Sequence, residues 1–416
     1  MKIQNKSLLL NFSGYTIINL LNSLTPFIIL PLLTKNLTAE DVGSIDLFTT
    51  STLFLTPLIG LCMIQSLTKL YFTVPDKSKY LSVLATAVFL LSSTLFLLVS
   101  GILFLTDLIK ISLENKLFVL LIVFYVFLSL IIEGYLLLKR NEEAIKEFGF
   151  LRLSKAFVDI VLTIVFLFYY DDYWARIMAM VISSSLIAAI IIFLIRKNPV
   201  IQFMWDKAMI KYILSYTWPL ILHALFINIL NYVDRYLIGD FLGMSELGKY
   251  SVIYQICMVM SLFINSFGMA WTPFFMRNMA ENSAGFKPIF KQTFSYYVLT
   301  LILGGSLLYL IMPLIYKFYV GEDFLVSKEI YIALLSGYVF QGLYRFKINH
   351  LYFLEKTASI AQISFVGAMV NIGLNLIFIV KWGLYGAAFA TFVSFLILYL
   401  FTELKLAMFN RRKPIY

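Results

Sequence analysis

Long apolar segments, each about the length needed to cross a bilayer, constrain this chain more than any other feature. A transmembrane helix needs about 20 mostly apolar residues, and by that measure the 416-residue chain contains about twelve such segments. Their predicted centres are Leu20, Phe54, Phe89, Val126, Leu162, Leu186, Ile227, Met260, Leu301, Val339, Val370 and Leu396. The pattern predicts an all-α membrane protein with about twelve transmembrane helices.

The composition excludes most other classes of protein. Hydrophobic residues make up 61% of the chain and charged residues 13%, against about 45–50% and about 25% in soluble domains. A soluble enzyme, a nucleic-acid binder or a disordered chain is therefore excluded, because each needs more polar surface. The formal charge of +10 is explained by the basic cytoplasmic loops of membrane proteins.

The distribution of basic residues predicts the orientation. Lys2 and Lys6 precede a first apolar segment, Leu8–Leu33, which is too long for a signal peptide and lacks a small-residue cleavage site, so we interpret it as a helix. With the N-terminus in the cytoplasm, most of the 33 Lys and Arg residues fall in cytoplasmic loops. One helix more or fewer would invert this pattern downstream. Both termini are therefore predicted to be cytoplasmic.

Two short motifs recur in the two halves of the chain. Leu37–Gly43 reads LTAEDVG and Leu242–Gly248 reads LGMSELG, at an offset of 205 residues, and Val158–Ile160 resembles Val370–Ile372. Weak internal similarity of this kind marks transporters built from repeats. We expect two six-helix lobes, residues 1–205 and 206–416, related by a pseudo-two-fold axis along the membrane normal, with a cavity between them.

The first of these motifs also has a local interpretation. Thr38 and Asp41 fit a capping box at the start of the second helix, and Ser245 followed by Glu246 can cap the eighth. Gly43 and Gly248 allow helices to approach closely. These residues are predicted to shape turns and contacts.

Polar residues inside the apolar segments are candidate functional residues, because charges at depth in a bilayer are costly. On the first helix Asn19 and Asn22 lie at helical spacing. The polar residues of the seventh helix are His223, Asn231, Asp234 and Arg235. Since the two helices occupy equivalent places in the repeat, both polar stripes are predicted to face a cleft that could hold a phosphate. The alternatives are an interfacial ion pair for Asp234 and Arg235 and an interhelical hydrogen bond for His223.

A second charged group lies near the predicted cytoplasmic start of the fifth helix. Arg152, Lys155 and Asp159 follow at i, i+3 and i+7, and Lys155 and Asp159 can pair at i, i+4. Glu133 and Arg140 share a face of the fourth helix. These residues either pair at the membrane interface or form a basic entrance to the cavity.

The chain contains none of the common catalytic motifs. No GxxxxGK[ST], HExxH, CxxC or GxSxG sequence occurs, and Cys62 and Cys257 have no metal-ligand spacing. The sequence therefore predicts no catalytic site, no metal site and no cofactor. About twelve helices with short loops favour a secondary transporter over an enzyme.

Four motifs in register resemble one family over essentially the whole chain. They are Val233–Arg235 with Gly239 and Leu247–Ser251, Ala270–Phe274 (AWTPF), Asn371 and Asn375 with Gly383–Ala388 (GLYGAA), and Leu30–Gly43. These motifs are similar to those of the Wzx-type O-antigen and capsular polysaccharide flippases of the MOP (MATE-like) superfamily.

The resemblance implies a flippase of the bacterial inner membrane. Such a protein moves an undecaprenyl-diphosphate-linked oligosaccharide from the cytoplasmic to the periplasmic leaflet by alternating access around a cationic cavity, without a cofactor. The implied partners are that lipid-linked oligosaccharide, membrane lipids, a polysaccharide polymerase and a chain-length regulator, but no nucleic acid. Asp234 and Arg235 match the family signature, and Lys69 stands where relatives often have arginine.

Two sets of residues are therefore candidates for the site. The predicted ligands of the diphosphate and glycan are Arg235, Lys69, Arg152, Lys155, Asn19, Asn22 and Asn231. The predicted residues for proton or ion coupling are His223, Asp234, Glu133 and Asp159. The alternative functions are a MATE-like exporter of drugs or small molecules, and an O-antigen polymerase or ligase. The latter enzymes usually have a long periplasmic loop, which this sequence is not predicted to contain.

Overall fold

The computed structural model describes residues 14–105, 112–197, 201–281 and 285–412. Lys2, Lys6 and the start of the predicted first helix lie outside these ranges. Every regular element in the described ranges is a helix, which confirms the predicted all-α class.

Eleven long helices follow one another along the described part of the chain. They are α1 (Gly14–Asn36), α2 (Ala39–Ile59), α3 (Lys77–Leu105), α4 (Leu113–Asn141), α5 (Ile145–Leu167), α6 (Trp174–Lys197), α7 (Lys207–Leu242), α8 (Met244–Ala280), α9 (Phe286–Ile315), α10 (Lys328–Lys347) and α11 (Thr357–Arg412). A turn at Leu24 interrupts α1, and another at Met258 interrupts α8. Gly383 in α11 has φ 58°, which is outside the helical region, so α11 comprises two helices.

Nine segments of the described residues are long and apolar enough to cross a membrane. The last of them has 52 residues and, as one straight helix, would be roughly 78 Å long, far more than a bilayer core of about 30 Å. The bend at Gly383 divides this segment into two shorter helices. Helices α5 and α10 are not among the nine; α5 carries Arg152, Lys155 and Asp159 along its length. The count of twelve transmembrane helices stays a prediction.

The described residues form two compact units. The first unit comprises the described residues up to Leu32 together with Leu47–Leu225, and the second comprises Leu33–Asp46 and the described residues from Phe226 onward. One apolar core of the first unit includes Met63, Tyr80 and Val126, all of which are fully buried. In the second unit, rings of α8, α9 and α10 stack around Trp271 and Phe346, whose centroids are 4.5 Å apart. The predicted lobes at residues 1–205 and 206–416 stay a prediction.

The two copies of the repeated motif contact each other within the second unit. A side chain added at Gly43 would clash with the backbone carbonyl of Met244, and one added at Gly248 would clash with the carbonyl of Ala39. Gly43 corresponds to Gly248 and Ala39 to Met244 across the 205-residue offset, so the two contacts are equivalent and reciprocal, as at a two-fold interface. The close approach predicted at these glycines is confirmed.

The two predicted helix caps have different outcomes. The Asp41 amide donates to Thr38 Oγ1 (3.2 Å) and the Thr38 amide donates to Asp41 Oδ2 (3.1 Å), which confirms the capping box of α2. The predicted cap by Ser245 is wrong. Gly243, at φ 94°, is the N-cap residue of α8 and gives no side-chain bond. Because this single residue links α7 to α8, Ser245 already lies inside the helix.

Candidate functional site

A buried ion network in the second unit centres on Arg235 of α7. Its Nε lies 3.0 Å from Oδ2 of Asp46 on α2, and its Nη1 lies 3.1 Å from Oδ1 of the adjacent Asp234. Only 5% of the Arg235 side chain and 3% of the Asp234 side chain are exposed, against 22% for Asp46. The network therefore joins α2 to α7 through two almost completely buried charges on α7 and one partly exposed carboxylate on α2.

The helix geometry sets the depth of this network. Asp46 is seven residues from the start of α2 at Ala39, and Arg235 is seven residues from the end of α7 at Leu242. At a rise of about 1.5 Å per residue, both lie about 10 Å inside their helix ends. Charges at such a position need partners within the protein, because lipid offers none.

Polar and aromatic groups complete the surroundings of Arg235. The Tyr250 hydroxyl of α8 donates to Asp234 Oδ2 (2.7 Å), and Arg235 Nη1 donates to the Asn231 carbonyl (2.9 Å). The guanidinium carbon lies 4.3 Å from the ring centre of Tyr254 and 4.8 Å from that of Tyr232. Contact with aromatic faces stabilises a desolvated cation. The network is thus held by α2, α7 and α8.

The charges in this network do not balance. One guanidinium faces two carboxylates, so the three groups sum to −1 when both carboxylates are ionised. Asp46 binds Nε of Arg235 and Asp234 binds Nη1, so opening of either pair would free a nitrogen of the buried guanidinium for an anionic ligand. Asp46 is the more exposed of the two carboxylates. Its pair with Arg235 opens at the lower cost in free energy, because an unpaired charge costs less where solvent reaches it.

A second ion network joins α5 to α6 in the first unit. Arg176 Nη1 and Nη2 donate to the two carboxylate oxygens of Asp159 at 2.8 and 2.9 Å, and Nη1 also donates to Thr163. The expected pair of Lys155 with Asp159 is wrong. A guanidinium can bind both carboxylate oxygens, which an ammonium group does less well. The Lys155 ammonium instead lies 5.7 Å from the ring centre of Tyr125.

The second unit has a neutral equivalent of this network. Asn371, which corresponds to Asp159 in the repeat, donates from Nδ2 to Ser394 Oγ at 3.2 Å. In the first unit the Ser183 hydroxyl donates to Asp159 at 3.3 Å. The same helix pair is thus joined by a polar contact in each unit, but only the first unit adds an arginine. Asn371 and Asn375 hydrogen-bond each other as well (3.0 Å).

The remaining charged candidates of the first unit lie on α4, on α5 and, in the case of Lys69, in the segment between α2 and α3. Arg152 Nη1 forms an ion pair with Glu133, whose side chain is 54% exposed. The ammonium of Lys69 lies 5.6 Å from the ring centre of Tyr216 on α7. Within the described residues, neither Lys69 nor Lys155 has an ion pair with a carboxylate.

Helix α1 brings one of its asparagines to the level of Arg152. Ile18 packs against Gly149, and the rings of Tyr15 and Phe148 are 5.1 Å apart, so α1 and α5 run parallel. Asn22 is one helical turn beyond Ile18, and Arg152 is about one turn beyond Gly149, so the two residues lie at a similar height along the parallel helices. Asn19 and Asn22 are half-buried.

The predicted residues therefore form several groups rather than one site. Asn231, Asp234 and Arg235 lie together in the second unit, and Glu133 and Arg152 lie together in the first. His223 is exposed on α7. No group of three or more metal-ligating side chains occurs among the described residues.

Sequence reasoning missed Asp46, Tyr250 and Arg176. Asp46 could have been found, because a carboxylate within the apolar run of α2 needs a partner. Arg176 lies in the first turn of α6, and its pairing with Asp159 of α5 depends on packing between helices that the sequence does not show. Tyr250 lies within the Leu247–Ser251 motif, but the motif did not indicate its hydrogen bond to Asp234.

The sequence matches the profile of the family described as polysaccharide biosynthesis protein over residues 8–279. The chain belongs to this family. It is also 27% identical to an uncharacterized membrane protein of Haemophilus influenzae over 375 residues, which covers 88% of this chain and 89% of that protein. The family resemblance predicted from the motifs is therefore confirmed.

Solved structures of two membrane transport proteins share the fold. The chain is similar to the inward closed conformation of the lipid II flippase MurJ, with TM-score 0.70 and 15% identity over 96% of this chain and 87% of that one. It is also similar to an inward-facing multidrug resistance MATE family transporter of the MOP superfamily, with TM-score 0.68 and 14% identity over 96% of each chain. The predicted MATE-like fold is confirmed.

Proposed function

We propose that this member of the polysaccharide biosynthesis protein family is a flippase for an undecaprenyl-diphosphate-linked oligosaccharide. The observation that carries the proposal is its membership of a polysaccharide biosynthesis family together with a fold shared with the lipid II flippase MurJ. We further propose that it lies in the bacterial inner membrane with both termini in the cytoplasm. A polysaccharide polymerase and a chain-length regulator are its proposed protein partners.

The residues that would bind the diphosphate follow from their existing partners. Lys69 and Lys155 are the first candidates, because among the described residues they contact aromatic rings and no carboxylate. Arg152 needs only to exchange the exposed Glu133 for a phosphate. Asn19, Asn22 and Asn231 are proposed to hydrogen-bond the glycan, while the polyprenyl chain stays in lipid.

Arg235 has a different role in this proposal. Its guanidinium is bound by Asp46 and Asp234, so the network would hold the α2–α7 contact closed in one state of the transport cycle. Release of Asp46 would free Arg235 for the anionic head group in another state. Alternating access would then follow from exchange of one counter-ion for another.

Proton or ion coupling is proposed for the acidic residues. Asp234 belongs to a network with one carboxylate in excess, and binding of a proton or a monovalent cation would balance it. Glu133, Asp159 and His223 are the further candidates, and Asp159 is the least accessible to exchange because Arg176 binds both of its oxygens.

Surface polysaccharide in cells tests the proposed ligands. We expect deletion of the gene to abolish surface polysaccharide and to leave lipid-linked repeat units facing the cytoplasm. The Lys69→Gln, Lys155→Gln double variant should reduce surface polysaccharide at normal protein level in the membrane. Lys356→Gln is the matched control, since Lys356 is exposed, as Lys69 is, and its ammonium likewise lies over an aromatic ring, that of Phe409. Equal polysaccharide in both variants would dismiss the two lysines as ligands.

The structural likeness to a MATE transporter favours one second candidate, export of drugs or other small molecules. This function predicts that deletion raises sensitivity to cationic drugs and leaves surface polysaccharide intact. An enzymatic role as polymerase or ligase predicts instead that repeat units still reach the outer leaflet but are not joined.

A further inference from the structure

An apolar cavity lies inside the first unit, and none of the predicted ligand or coupling residues lines it. Its volume is about 450 Å³, and its walls are formed by α3, α4, α6 and a linker before α7, residues 201–206, of which 201–203 line the cavity. The buried part of the lining includes Leu67, Leu84, Leu130 and Leu138. Small-molecule sites have volumes of about 300–1,000 Å³, so the cavity is large enough to hold a ligand.

One wall of the cavity is fixed to α3 by polar contacts. The amide of Gln202 donates to Ser82 Oγ and the amide of Met204 donates to Thr86 Oγ1, both at 3.0 Å. Asp206 forms an ion pair with Lys79 (2.5 Å). Three contacts thus anchor the linker along three successive turns of α3. The wall of the cavity that the linker forms is therefore held in place by specific polar contacts.

The rim of the cavity has the composition of a membrane–water interface. Arg196, in the last turn of α6, lines the cavity and is exposed. It has no ion pair with a carboxylate among the residues that the structure describes. Phe203 also lines the cavity and is 76% exposed, and Trp205 follows it at 60%. Basic and aromatic residues together are typical of the head-group level of a bilayer.

We propose that this cavity binds one acyl chain of an anionic glycerophospholipid, whose phosphate contacts Arg196. The positive charge of Arg196 favours an anionic head group, and its guanidinium can bind two oxygens of the phosphate. If each methylene group occupies roughly 30 Å³, about the volume of a water molecule, the cavity holds roughly fifteen of them. That is about the length of one phospholipid acyl chain and a small part of a polyprenyl chain.

This site is independent of the proposed flippase function. It would fix a lipid against α3, α4 and α6 whatever the protein transports. The acyl chain moves from the apolar bilayer into an apolar cavity and gains no hydrophobic free energy. Selectivity for one lipid over another therefore comes from the packing of the chain and from the charge of its head group.

Native mass spectrometry of the purified full chain tests the proposal. The protein is mixed with equal amounts of phosphatidylglycerol and phosphatidylcholine that have the same acyl chains. We expect one molecule of phosphatidylglycerol to stay bound. Arg196→Gln should weaken its binding about fivefold, the equivalent of about 1 kcal/mol for one basic side chain. Lys197→Gln is the matched control, because Lys197 lies over Phe193 (4.4 Å) and does not line the cavity.

A second pair of variants tests the cavity itself. Ile192 lines the cavity and Ile190 does not, and both are partly exposed on α6. Ile192→Trp should remove the bound lipid, while Ile190→Trp should retain it. Equal effects of Arg196→Gln and Lys197→Gln, or lipid retained in Ile192→Trp, would overturn the proposal. Displacement of phosphatidylglycerol by an equal amount of polyprenyl phosphate would overturn the assignment to a glycerophospholipid.

Discussion

At the scale of residues, the second unit is organised around one arginine. Arg235 holds two carboxylates, four polar or aromatic neighbours surround it, and nearly all of its surface is buried. Removal of one partner from a buried ion pair leaves an uncompensated charge, which costs more than the intact pair contributes. The members of the network should therefore differ strongly in their sensitivity to substitution.

We expect Arg235→Gln to lower the free energy of unfolding by about 3–5 kcal/mol, because the buried Asp234 and the partly exposed Asp46 lose the cation that they share. Asp46→Asn should cost much less, since it leaves one guanidinium with one carboxylate. Thermal unfolding of both variants in detergent measures the difference. If Asp46→Asn were as destabilising as Arg235→Gln, the excess negative charge would have no energetic consequence.

His350 predicts how stability depends on pH. It lies in the short helix Asn349–Phe353, 4.6 Å from the ring of Phe275 and 4.9 Å from that of Phe290. Burial lowers the pKa of His350 to about 4, and the charge of Lys347 adds to this effect. Since the unfolded chain has a histidine pKa of about 6.5, it binds a proton between pH 6.5 and 4 that the folded protein does not bind. The free energy of unfolding therefore decreases as the pH is lowered from 6.5 to 4, by up to about 3 kcal/mol.

The measurement compares melting temperatures at pH 7.5 and pH 5. His350→Phe should reduce the loss at pH 5, because the phenyl ring fits the aromatic site and does not titrate. The second histidine of the chain, His223, is exposed, so His223→Gln should keep the wild-type response. An unchanged response in His350→Phe would show that other groups cause the pH dependence.

At the scale of elements, the reciprocal contact of Gly43 and Gly248 sets how closely α2 and α8 approach. Each glycine faces a backbone carbonyl of the other helix, and a carbonyl cannot move aside as a flexible side chain can. Thr38 and Asp41 cap the helix at the same end. The repeated motif is therefore best explained as a contact motif.

Gly43→Ala and Gly248→Ala should each destabilise the protein by about 1–3 kcal/mol, because the added methyl group overpacks the contact. Gly268 in α8 and Gly373 in α11 have nothing within 4 Å of an added Cβ. Gly268→Ala and Gly373→Ala should be neutral or stabilising, since alanine favours the helix by up to about 1 kcal/mol. Equal melting temperatures in all four variants would contradict the close contact.

Elements differed in how far the sequence predicted them. The apolar runs predicted the helices well, because bilayer thickness fixes their length. Lys155 and Asp159 were expected to pair because spacing along one helix was the only geometry available, and Arg176 of the next helix binds the carboxylate instead. The capping box of α2 was predictable since all of its bonds are local, whereas the start of α8 depends on the backbone of Gly243.

At the scale of the whole molecule, the sequence predicted the family and the fold, while the lobes at residues 1–205 and 206–416 stay a prediction. Segment Leu33–Asp46 belongs to the first half of the chain, yet it packs with the residues from Phe226 onward. Single-sequence patterns contain no information on such long-range packing, and Asp46 was missed for the same reason. The charged candidate ligands were identified from the sequence by their charge, but the residues with which they form ion pairs were not.

Transport of a lipid-linked oligosaccharide by the purified protein tests the central claim most directly. Proteoliposomes would contain an undecaprenyl-diphosphate-linked oligosaccharide in both leaflets, and an external glycosidase would remove the exposed glycans. We expect the wild-type protein to make nearly all of the substrate accessible, and the Lys69→Gln, Lys155→Gln double variant to do so much more slowly. If about half of the substrate stayed protected with folded wild-type protein in the vesicles, as in protein-free vesicles, the proposed flippase function would be contradicted.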